Sequence, residues 1–397
     1  MKINVGFVGY GNFAPRIIPY FLAHPDVNKV ALAELIPERR AEGARRFGIT
    51  ELYDSFDDML RSGKDINCIA IHVQRHYHGD MVIRALQAGK HVYSAVPMAS
   101  SVEEVARITQ LAGETGLIYA LGENRCYDPT TILCRELYTS GALGTFLYGQ
   151  AHYSHDFSHF HSYKQYTGRD NWAGFPPMYY CTHSVSMILS SVGERVTRVS
   201  CMGYHDPGWA HIFSPGKNHW DNPFINETAT MRLSGGGIMR INEFRRRAWG
   251  HPPTTIECMN GTLASYERSM DRHTVQYALP DGGQRVEDVS ARVTPAANIE
   301  NMDGSSAYAP IQPMGRLPES FRALHLSGHE ATHPFVIDDF VRAVKNGKLP
   351  PINAWAAARY MLPGLIAHES ALRDGEPLPV PDLGDPPAGW EVMGYSG

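Results

Sequence analysis

A tyrosine and a histidine stand three positions apart in the stretch Tyr179-Tyr180-Cys181-Thr182-His183. If this segment is helical, residues i and i+3 share one face, so the Tyr180 phenol and the His183 imidazole point the same way. Both groups can take up and release protons, and a well-placed acid–base group contributes on the order of 10²–10⁴-fold to a reaction rate. The alternative is a buried pair whose polar atoms are satisfied by hydrogen bonds.

Three consecutive arginines, Arg245-Arg246-Arg247, follow a predicted strand. Guanidinium groups at a strand end can bind an anionic substituent of a substrate, such as a carboxylate or a sulfonate. Pairing with Glu227 and Glu243 is the alternative, and we favour it for at least two of the three arginines. Arg245 is the arginine we expect nearest to a bound substrate.

Histidines crowd one segment of the chain, at His152, His155, His159 and His161. Imidazole groups at these spacings can bind a metal ion, but no compact set of carboxylates or cysteines accompanies them. A strand that leads into a substrate-facing loop accounts for them equally well, so we expect no metal and treat His155 as a candidate substrate contact. His333, near the start of a predicted helix, is a similar candidate that reaches the pocket or lies at its entrance.

A glycine turn follows the first apolar run of the chain, in Gly9-Tyr10-Gly11-Asn12-Phe13-Ala14. Gly9 permits a tight turn, Gly11 lets the backbone approach a pyrophosphate, and Ala14 lets the next helix sit close to the strand. The intervening Asn12 and Phe13 are expected to contact the same ligand. The pattern predicts a dinucleotide site, although this short motif is by itself a weak signal.

The second predicted strand, residues 29–33, ends in Glu34, 25 residues after Gly9. An acidic residue at this separation typically accepts hydrogen bonds from the adenosine ribose hydroxyls. Its charge would repel a 2′-phosphate, so Glu34 favours NAD over NADP. Arg39 and Arg40 keep NADP open as an alternative.

Alternating helices and strands continue beyond Glu34. The predicted order is a helix at 39–47, a strand at 66–73, a helix at 78–88 and a strand at 91–94. This order is typical of an α/β domain with a doubly wound parallel sheet. Ligands of such sheets bind beyond the carboxyl ends of the strands, which places Val73, Val96 and Pro97 beside the cofactor. His78 is expected near the cofactor too, where it caps or packs the following helix.

Composition indicates a folded protein of two domains. The chain has 397 residues, a length greater than one hydrophobic core usually accommodates. Of these residues 43% are hydrophobic and 19% are charged. The net charge of −5 and the scattered basic residues argue against nucleic acid or an anionic membrane as a partner. No apolar run approaches a membrane span, and the six cysteines lack CxxC spacing, so we expect a reduced, cytoplasmic protein.

The second domain is predicted to begin near Arg125, which divides the chain into 1–124 and 125–397. A linking helix is predicted at 129–143, strands at 229–233 and 238–244, and helices at 334–344 and 353–373.

The glycine turn, His78, the turn Ala88-Gly89-Lys90-His91-Val92 and the proline Pro97 together resemble the glucose-fructose oxidoreductase, inositol dehydrogenase and rhizopine-catabolism (Gfo/Idh/MocA) family. The resemblance implies an NAD-binding Rossmann domain and a C-terminal α/β domain with an open, largely antiparallel sheet. In the family that sheet presents a sugar and often mediates assembly. It implies a homo-oligomer, dimer or tetramer, that acts on a small sugar or glycoside.

Two positions depart from the usual dehydrogenases of the family. Their strand end reads Glu-Lys-Pro, with a lysine that assists deprotonation, whereas this chain has Ala95, Val96 and Pro97. Their catalytic histidine follows an aspartate by four residues, and here Tyr179 and His183 occupy those positions. Both the lysine and the acid partner of the histidine are therefore expected to be missing.

Tyr-x-Thr-His after such a valine resembles the NAD-dependent glycosidase branch of the family. That resemblance implies that Tyr180 and His183 are catalytic, that Tyr179 contacts the sugar, and that glycosides are cleaved through transient oxidation at C3 and deprotonation at C2. One alternative is an NAD-dependent sugar dehydrogenase in which His183 alone is the base. Another is a non-catalytic NAD-binding regulator. The sugar, its anomer and the aglycone stay open.

Overall fold

The structure, a computed structural model, describes residues 2–156, 174–247, 254–270, 272–294, 308–324 and 331–395.

The N-terminal part contains a parallel sheet of six strands. These are β1 (Ile3–Val8), β2 (Val27–Ala33), β3 (Leu52–Tyr53), β4 (Cys68–Ile71), β5 (His91–Ser94) and β6 (Tyr119–Leu121). Their spatial order is β3-β2-β1-β4-β5-β6, which reverses direction at β1. Strands β1 and β4 are buried along their whole length, as expected for a sheet with helices on both faces. The predicted doubly wound sheet is confirmed.

Five helices accompany this sheet: α1 (Ala14–Ala23), α2 (Pro37–Phe47), α3 (Phe56–Ser62), α4 (His78–Gln87) and α5 (Val102–Thr115). Serine side chains accept hydrogen bonds from backbone amides at the starts of α3 and α5. Helix α1 has no side-chain cap and begins directly after the glycine turn, with Pro15 in its first turn.

The C-terminal part contains a mixed sheet of nine strands. These are β7 (Phe146–Ser154), β8 (Val196–Tyr204), β9 (Asn226–Leu233), β10 (Ile238–Phe244), β11 (Thr254–Gly261), β12 (Ala264–Ser269), β13 (Arg272–Ala278), β14 (Gln284–Asp288) and β15 (Leu378–Pro379). The spatial order is β14-β13-β12-β11-β7-β10-β9-β8-β15. Within these described strands β7 and β10 pair in parallel and the other neighbours pair antiparallel. The predicted largely antiparallel sheet is confirmed.

The helices of this part are α6 (Pro129–Thr139), α7 (Thr182–Val192), α8 (Ser290–Val293), α9 (His333–Asn346) and α10 (Ala354–Leu372). Helix α6 ends four residues earlier than predicted, because Gly141 and Gly144 adopt positive φ angles of 78° and 73°. Helix α7 crosses β7 closely, since a Cβ at Gly149 would lie 3.2 Å from the Ile188 side chain. In the described ranges, no helix combines the length and apolar character needed to cross a membrane.

The end of the chain packs back onto the N-terminal sheet. The Leu121 amide, in β6, donates a hydrogen bond to the Ile352 carbonyl at 3.1 Å. A second contact joins the end of α1 to α9, where His24 Nε2 lies 3.3 Å from Asp338 Oδ1. These contacts join the two parts of the chain, and the division at 124/125 stays a prediction.

Candidate active site and cofactor cavity

A cavity of about 760 Å³ lies at the carboxyl ends of β1, β2, β4 and β5. One end, the cofactor end, is lined by Gly9, Gly11 and Glu34, and the other, the Tyr180 end, by Val96, Tyr180 and His183. Other predicted site residues that line it are Asn12, Phe13, Val73, His78 and His333. Gly9 and Tyr180, which are 171 positions apart in sequence, therefore line the same cavity.

The glycine turn has the shape that a dinucleotide requires. Gly9 has a φ of 92°, and a Cβ at this position would lie 2.5 Å from the His72 carbonyl oxygen. By contrast, a Cβ at Gly11 would meet no atom within 4 Å, so the backbone at Gly11 borders open space. The first glycine therefore serves the fold, and the second leaves room for a ligand.

Glu34 stands beside this turn with its carboxylate held by backbone amides. Its Oε2 accepts a hydrogen bond from the Tyr10 amide at 2.6 Å, and its Oε1 accepts one from the Ile36 amide at 2.9 Å. Each oxygen keeps a second lone pair for a ribose hydroxyl. Arg40 donates to the Glu34 carbonyl and pairs with Asp54, so of the two arginines Arg39 is the one that lines the cavity. These residues fit NAD.

His78 joins two strand-end loops. Its Nδ1 lies 2.7 Å from the Pro97 carbonyl oxygen and its Nε2 lies 3.1 Å from the Val73 carbonyl oxygen. Burial lowers the pKa of His78, which favours a neutral ring with one N–H to donate. The Val96-Pro97 peptide bond is cis. Pro97 is buried and acts through its carbonyl, whereas Val96 lines the cavity directly.

Tyr180 and His183 converge where a 3₁₀ helix meets α7. Tyr180 ends the 3₁₀ helix Pro177–Tyr180, and His183 is the second residue of α7. Their ring centroids lie 5.2 Å apart with perpendicular planes, and both side chains line the cavity. The i, i+3 spacing thus brings both rings to the same side of the chain, as predicted.

His183 has a buried acid partner that the sequence did not reveal. Its Nδ1 lies 2.7 Å from Glu123 Oε1, and the two residues are 3% and 0% exposed. The expectation that this histidine lacks a carboxylate is therefore wrong: position 179 carries tyrosine, but Glu123 supplies the acid from the end of β6. An ionised carboxylate only accepts hydrogen bonds, so Nδ1 carries the proton and Nε2 keeps a lone pair.

The position of Glu123 was open to prediction. It follows β6, and the carboxyl ends of parallel strands meet at the edge where Val73 and Val96 were already expected. The neighbouring Asn124 also lines the cavity, with its Nδ2 donating to Thr332 Oγ1 at 2.6 Å. Neither residue forms a recognisable motif with His183, which is 60 positions away from Glu123.

A guanidinium group covers the face of Tyr180. Arg75, in the loop after β4, lines the cavity, and its Cζ lies 4.3 Å from the centroid of the Tyr180 ring. The same group lies 5.7 Å from the Phe175 ring. A cation over an aromatic face is attracted by the ring, so this contact links the cofactor domain to the Tyr180 end.

The two histidines proposed as substrate contacts lie close to the Tyr180 end. His333 borders the cavity, with its ring edge against Phe13 at a centroid distance of 5.1 Å. The His155 ring lies 4.7 Å from Tyr153, which in turn is 5.3 Å from His183, and His155 is outside the cavity lining. Burial lowers the pKa of both histidines to about 3, so both are neutral at neutral pH.

Tyr179 and Arg245 are not among the residues that line the cavity. The Tyr179 ring lies 5.2 Å from the His368 ring of α10, and burial raises the Tyr179 pKa to about 12. Arg245 is 3% exposed and pairs with Glu243 at 3.1 Å, the alternative favoured from sequence. Arg246 pairs with Asp156 and Asp206.

The histidine-rich segment is only partly described, since His159 and His161 lie outside the described residues. His152 Nδ1 lies 2.7 Å from Glu257 Oε1. In the part of the chain that the structure covers, no three His, Cys, Asp or Glu side chains form a group suited to a metal ion.

Comparison with known proteins finds a family that the N-terminal part of the chain resembles. Residues 3–123 match the model of an oxidoreductase family with an NAD-binding Rossmann fold, named GFO_IDH_MocA. This N-terminal part of the chain is therefore similar to the Gfo/Idh/MocA oxidoreductase family. Among its curated relatives is a glycosyl hydrolase family 109 protein of Streptomyces niveus, 22% identical over 96% of this chain and 77% of the relative. Another is the levoglucosan dehydrogenase of Pseudarthrobacter phenanthrenivorans, 30% identical over 40% of this chain and 42% of the relative.

Solved structures share the fold of this chain. A levoglucosan dehydrogenase in complex with NADH and L-sorbose aligns with a TM-score of 0.75 and 21% identity, covering 96% of this chain and 100% of that chain. An oxidoreductase from Agrobacterium radiobacter in complex with NAD⁺, L-tartaric acid and magnesium aligns with a TM-score of 0.71 and 14% identity, covering 97% and 99%. The NAD-binding domain and the second, sheet-based part thus recur together.

Proposed function

We propose that this protein is an NAD-dependent glycosidase that cleaves a glycoside by transient oxidation of its sugar. The observation that carries the proposal is the composition of the Tyr180 end of the cavity. Tyr180 and His183 border the same space as the NAD-type glycine turn, next to Val96, and no lysine occurs in the described lining. Proton transfer is therefore assigned to a phenol and an imidazole.

The described residues fit NAD, with Gly9, Gly11, Asn12, Phe13 and Glu34 as its holders at the cofactor end. Bound NAD supplies a nicotinamide ring that accepts a hydride from a sugar carbon and returns it. Val73, His78 and Val96 line the cavity and would border that ring, and Pro97 would act indirectly, through its carbonyl contact with His78. The remaining chemistry belongs to the protein's own side chains.

His183 is proposed to take the proton of the C3 hydroxyl. Glu123 holds the imidazole with Nδ1 protonated, at 2.7 Å, so that Nε2 is the basic nitrogen. The carboxylate also stabilises the imidazolium that forms when Nε2 accepts a proton. This arrangement supplies the acid–base function for which other family members use a lysine.

Tyr180 is proposed to act on the C2 proton. Loss of the C3 hydroxyl proton and a hydride turns C3 into a carbonyl, which acidifies the C2–H bond. Tyr180, acting as a phenolate beside the Arg75 guanidinium, takes that proton, the C1–O bond breaks, and the aglycone oxygen takes up a proton as it leaves. Water then adds its hydroxyl at C1 while Tyr180 returns a proton to C2. A hydride returns to C3 and His183 returns the proton to the C3 oxygen, which completes hydrolysis without net oxidation.

The relatives named glycosyl hydrolase family 109 support this proposal over 96% of the chain. A sugar dehydrogenase is the second candidate, because the His183–Glu123 pair is by itself sufficient to deprotonate an alcohol and because a levoglucosan dehydrogenase is also similar. Net production of NADH separates the two activities. A non-catalytic NAD-binding regulator is the third.

The test is turnover of a panel of aryl glycosides with the NAD-loaded protein in deuterium oxide. We expect aglycone release that requires NAD, no accumulation of NADH, and deuterium at C2 of the released sugar. Stoichiometric NADH with an oxidised sugar would identify a dehydrogenase. Tight NAD binding without turnover of any sugar would favour the regulator.

The proposal includes a cytoplasmic location and a homo-oligomer. The six cysteines are unpaired thiols, and five of them are buried, which is consistent with a reducing compartment. In the family this protein resembles, the open face of the second sheet mediates assembly. Light scattering coupled to gel filtration tests the assembly directly, and a monomer would contradict it.

A further inference from the structure

Two buried glutamates stand opposite each other beneath the Tyr180 end. Glu227 on β9 and Glu243 on β10 are register partners in an antiparallel pair, so both side chains project from the same face of the sheet. They are 1% and 0% exposed. Burial raises the pKa of Glu243 to about 8, which reflects how little water reaches it. Two adjacent acids in a dry interior are costly unless specific partners compensate them.

Glu243 contacts one end of the segment 177–184, which carries the proposed catalytic residues, directly, and it contacts the other end through Arg245. Its Oε1 accepts a hydrogen bond from Ser184 Oγ at 2.5 Å, and Ser184 directly follows His183. Its Oε2 accepts one from Arg245 Nη2 at 3.1 Å. The same Nη2 donates to the Pro177 carbonyl at 3.1 Å, at the first residue of the 3₁₀ helix.

Glu227 binds the same segment at a third point. Its Oε2 accepts a hydrogen bond from the Met178 amide at 2.8 Å, and its Oε1 lies 2.7 Å from His368 Nδ1 of α10. The contacts at Pro177, Met178 and Ser184 bracket Tyr180 and His183 on both sides. None of these contacts lies in the cavity itself, so their effect on a ligand is indirect.

We propose that Glu227 and Glu243, with Arg245, are positioning residues that hold the Tyr180 phenol and the His183 imidazole in their working orientation. This inference rests on the proposed catalytic role of Tyr180 and His183. It gives Arg245 a role different from binding an anionic substrate. Because a displacement of about 1 Å can cost on the order of 10²-fold in rate, a small shift of this segment is sufficient to lower turnover.

A second carboxylate–histidine pair of the same sheet provides the control. Glu257 Oε1 lies 2.7 Å from His152 Nδ1, the same distance as in the Glu227–His368 pair. Glu257 also contacts Gln150, and it makes no described contact with residues 177–184. Removal of Glu257, whose side chain is 39% exposed, therefore deletes a pair of equal distance without touching the proposed catalytic segment.

Kinetics of the NAD-loaded protein provide the first measurement. We expect Glu243→Ala and Glu227→Ala to lower kcat on the order of 10²-fold, with KM and NAD affinity within about twofold. Glu243→Gln, which keeps an acceptor for Ser184, should recover at least about tenfold of that loss. Glu257→Ala should retain the parent kcat. Parent-like kcat in folded Glu243→Ala and Glu227→Ala would overturn the inference.

The second measurement does not depend on turnover. In protein labelled with ¹⁵N-histidine, the His183 ring signals, assigned by their loss in His183→Gln, should shift in Glu243→Ala and stay in place in Glu257→Ala. If no glycoside is cleaved, the proposed function fails while this shift still tests the positioning. Ser184→Ala removes one of the contacts with a smaller change and replaces Glu243→Ala if that variant does not fold. Unmoved His183 signals in the folded variant would contradict the inference.

Discussion

At the cofactor end of the cavity, the contacts join residues close in sequence, whereas at the Tyr180 end they join distant ones. Glu34 accepts from the amides of Tyr10 and Ile36, 24 and 2 positions away. The His183 ring contacts Glu123, which is 60 positions away, and the Met178 amide donates a hydrogen bond to Glu227, which is 49 positions away. The first end is held mainly by backbone conformation, and the second by buried charged groups.

This difference predicts where single substitutions are most harmful. A buried charge whose partner is removed is left uncompensated, which is strongly unfavourable. A backbone turn tolerates changes at its exposed positions, because its amides and carbonyls stay in place. We therefore expect the Tyr180 end to be the more sensitive of the two.

The largest effects are expected from the two proposed catalytic groups. Tyr180→Phe and His183→Ala should each lower kcat on the order of 10²–10⁴-fold, because each removes a group that transfers a proton. NAD affinity, measured by fluorescence titration, should be unchanged. Full activity of Tyr180→Phe would favour a dehydrogenase in which His183 acts alone.

Glu123→Gln should be next, with a loss of kcat on the order of 10²-fold. The amide keeps the shape of the side chain but can present an N–H to His183 Nδ1, which favours the wrong tautomer. The pH profile of kcat/KM should change its shape as well as its height. A profile that is only scaled down, or not altered, would show that Glu123 does not act through His183.

Glu34→Ala should weaken the binding of NAD by about tenfold, because one hydrogen bond to a charged group is lost. The binding of NADP should weaken less, because the substitution also removes the repulsion between the Glu34 carboxylate and the 2′-phosphate. The two dissociation constants are measured by titration, with Glu38→Ala on the exposed side of α2 as the matched control. Equal losses for both cofactors, or none, would contradict the assignment of Glu34 to the ribose.

The smallest effect separates the two glycines of the turn. Gly9→Ala should lower the free energy of unfolding by about 1–3 kcal/mol, because φ is 92° and the new Cβ meets the His72 carbonyl. Gly11→Ala should leave stability within about 0.5 kcal/mol and weaken only NAD, because its Cβ would enter open space. Urea unfolding and NAD titration measure the two quantities, and equal destabilisation by both changes would contradict this division.

The sequence by itself determined four of the six strands of the N-terminal sheet, namely β1, β2, β4 and β5, together with the glycine turn and the place of Glu34 at the end of β2. These features depend on local periodicity and on fixed spacings, which a turn and a strand end convert directly into position. Tyr180 and His183 were proposed from the resemblance to the glycosidase branch, and their i, i+3 spacing predicted that they face the same side. The strands predicted at 229–233 and 238–244 were expected to be neighbours, but the start of the first at Asn226 and the register between them were not predicted.

Only the tertiary structure decided what holds the Tyr180 end together. Nothing local links Glu123 to His183, and the pairing of Glu227 with Glu243 follows from the register of β9 and β10. It also turned Arg245 toward Glu243 and left Tyr179 beside α10 instead of in the cavity. The physical reason is that a buried charge must find a partner wherever the fold brings one within reach, and sequence distance places no limit on that partner.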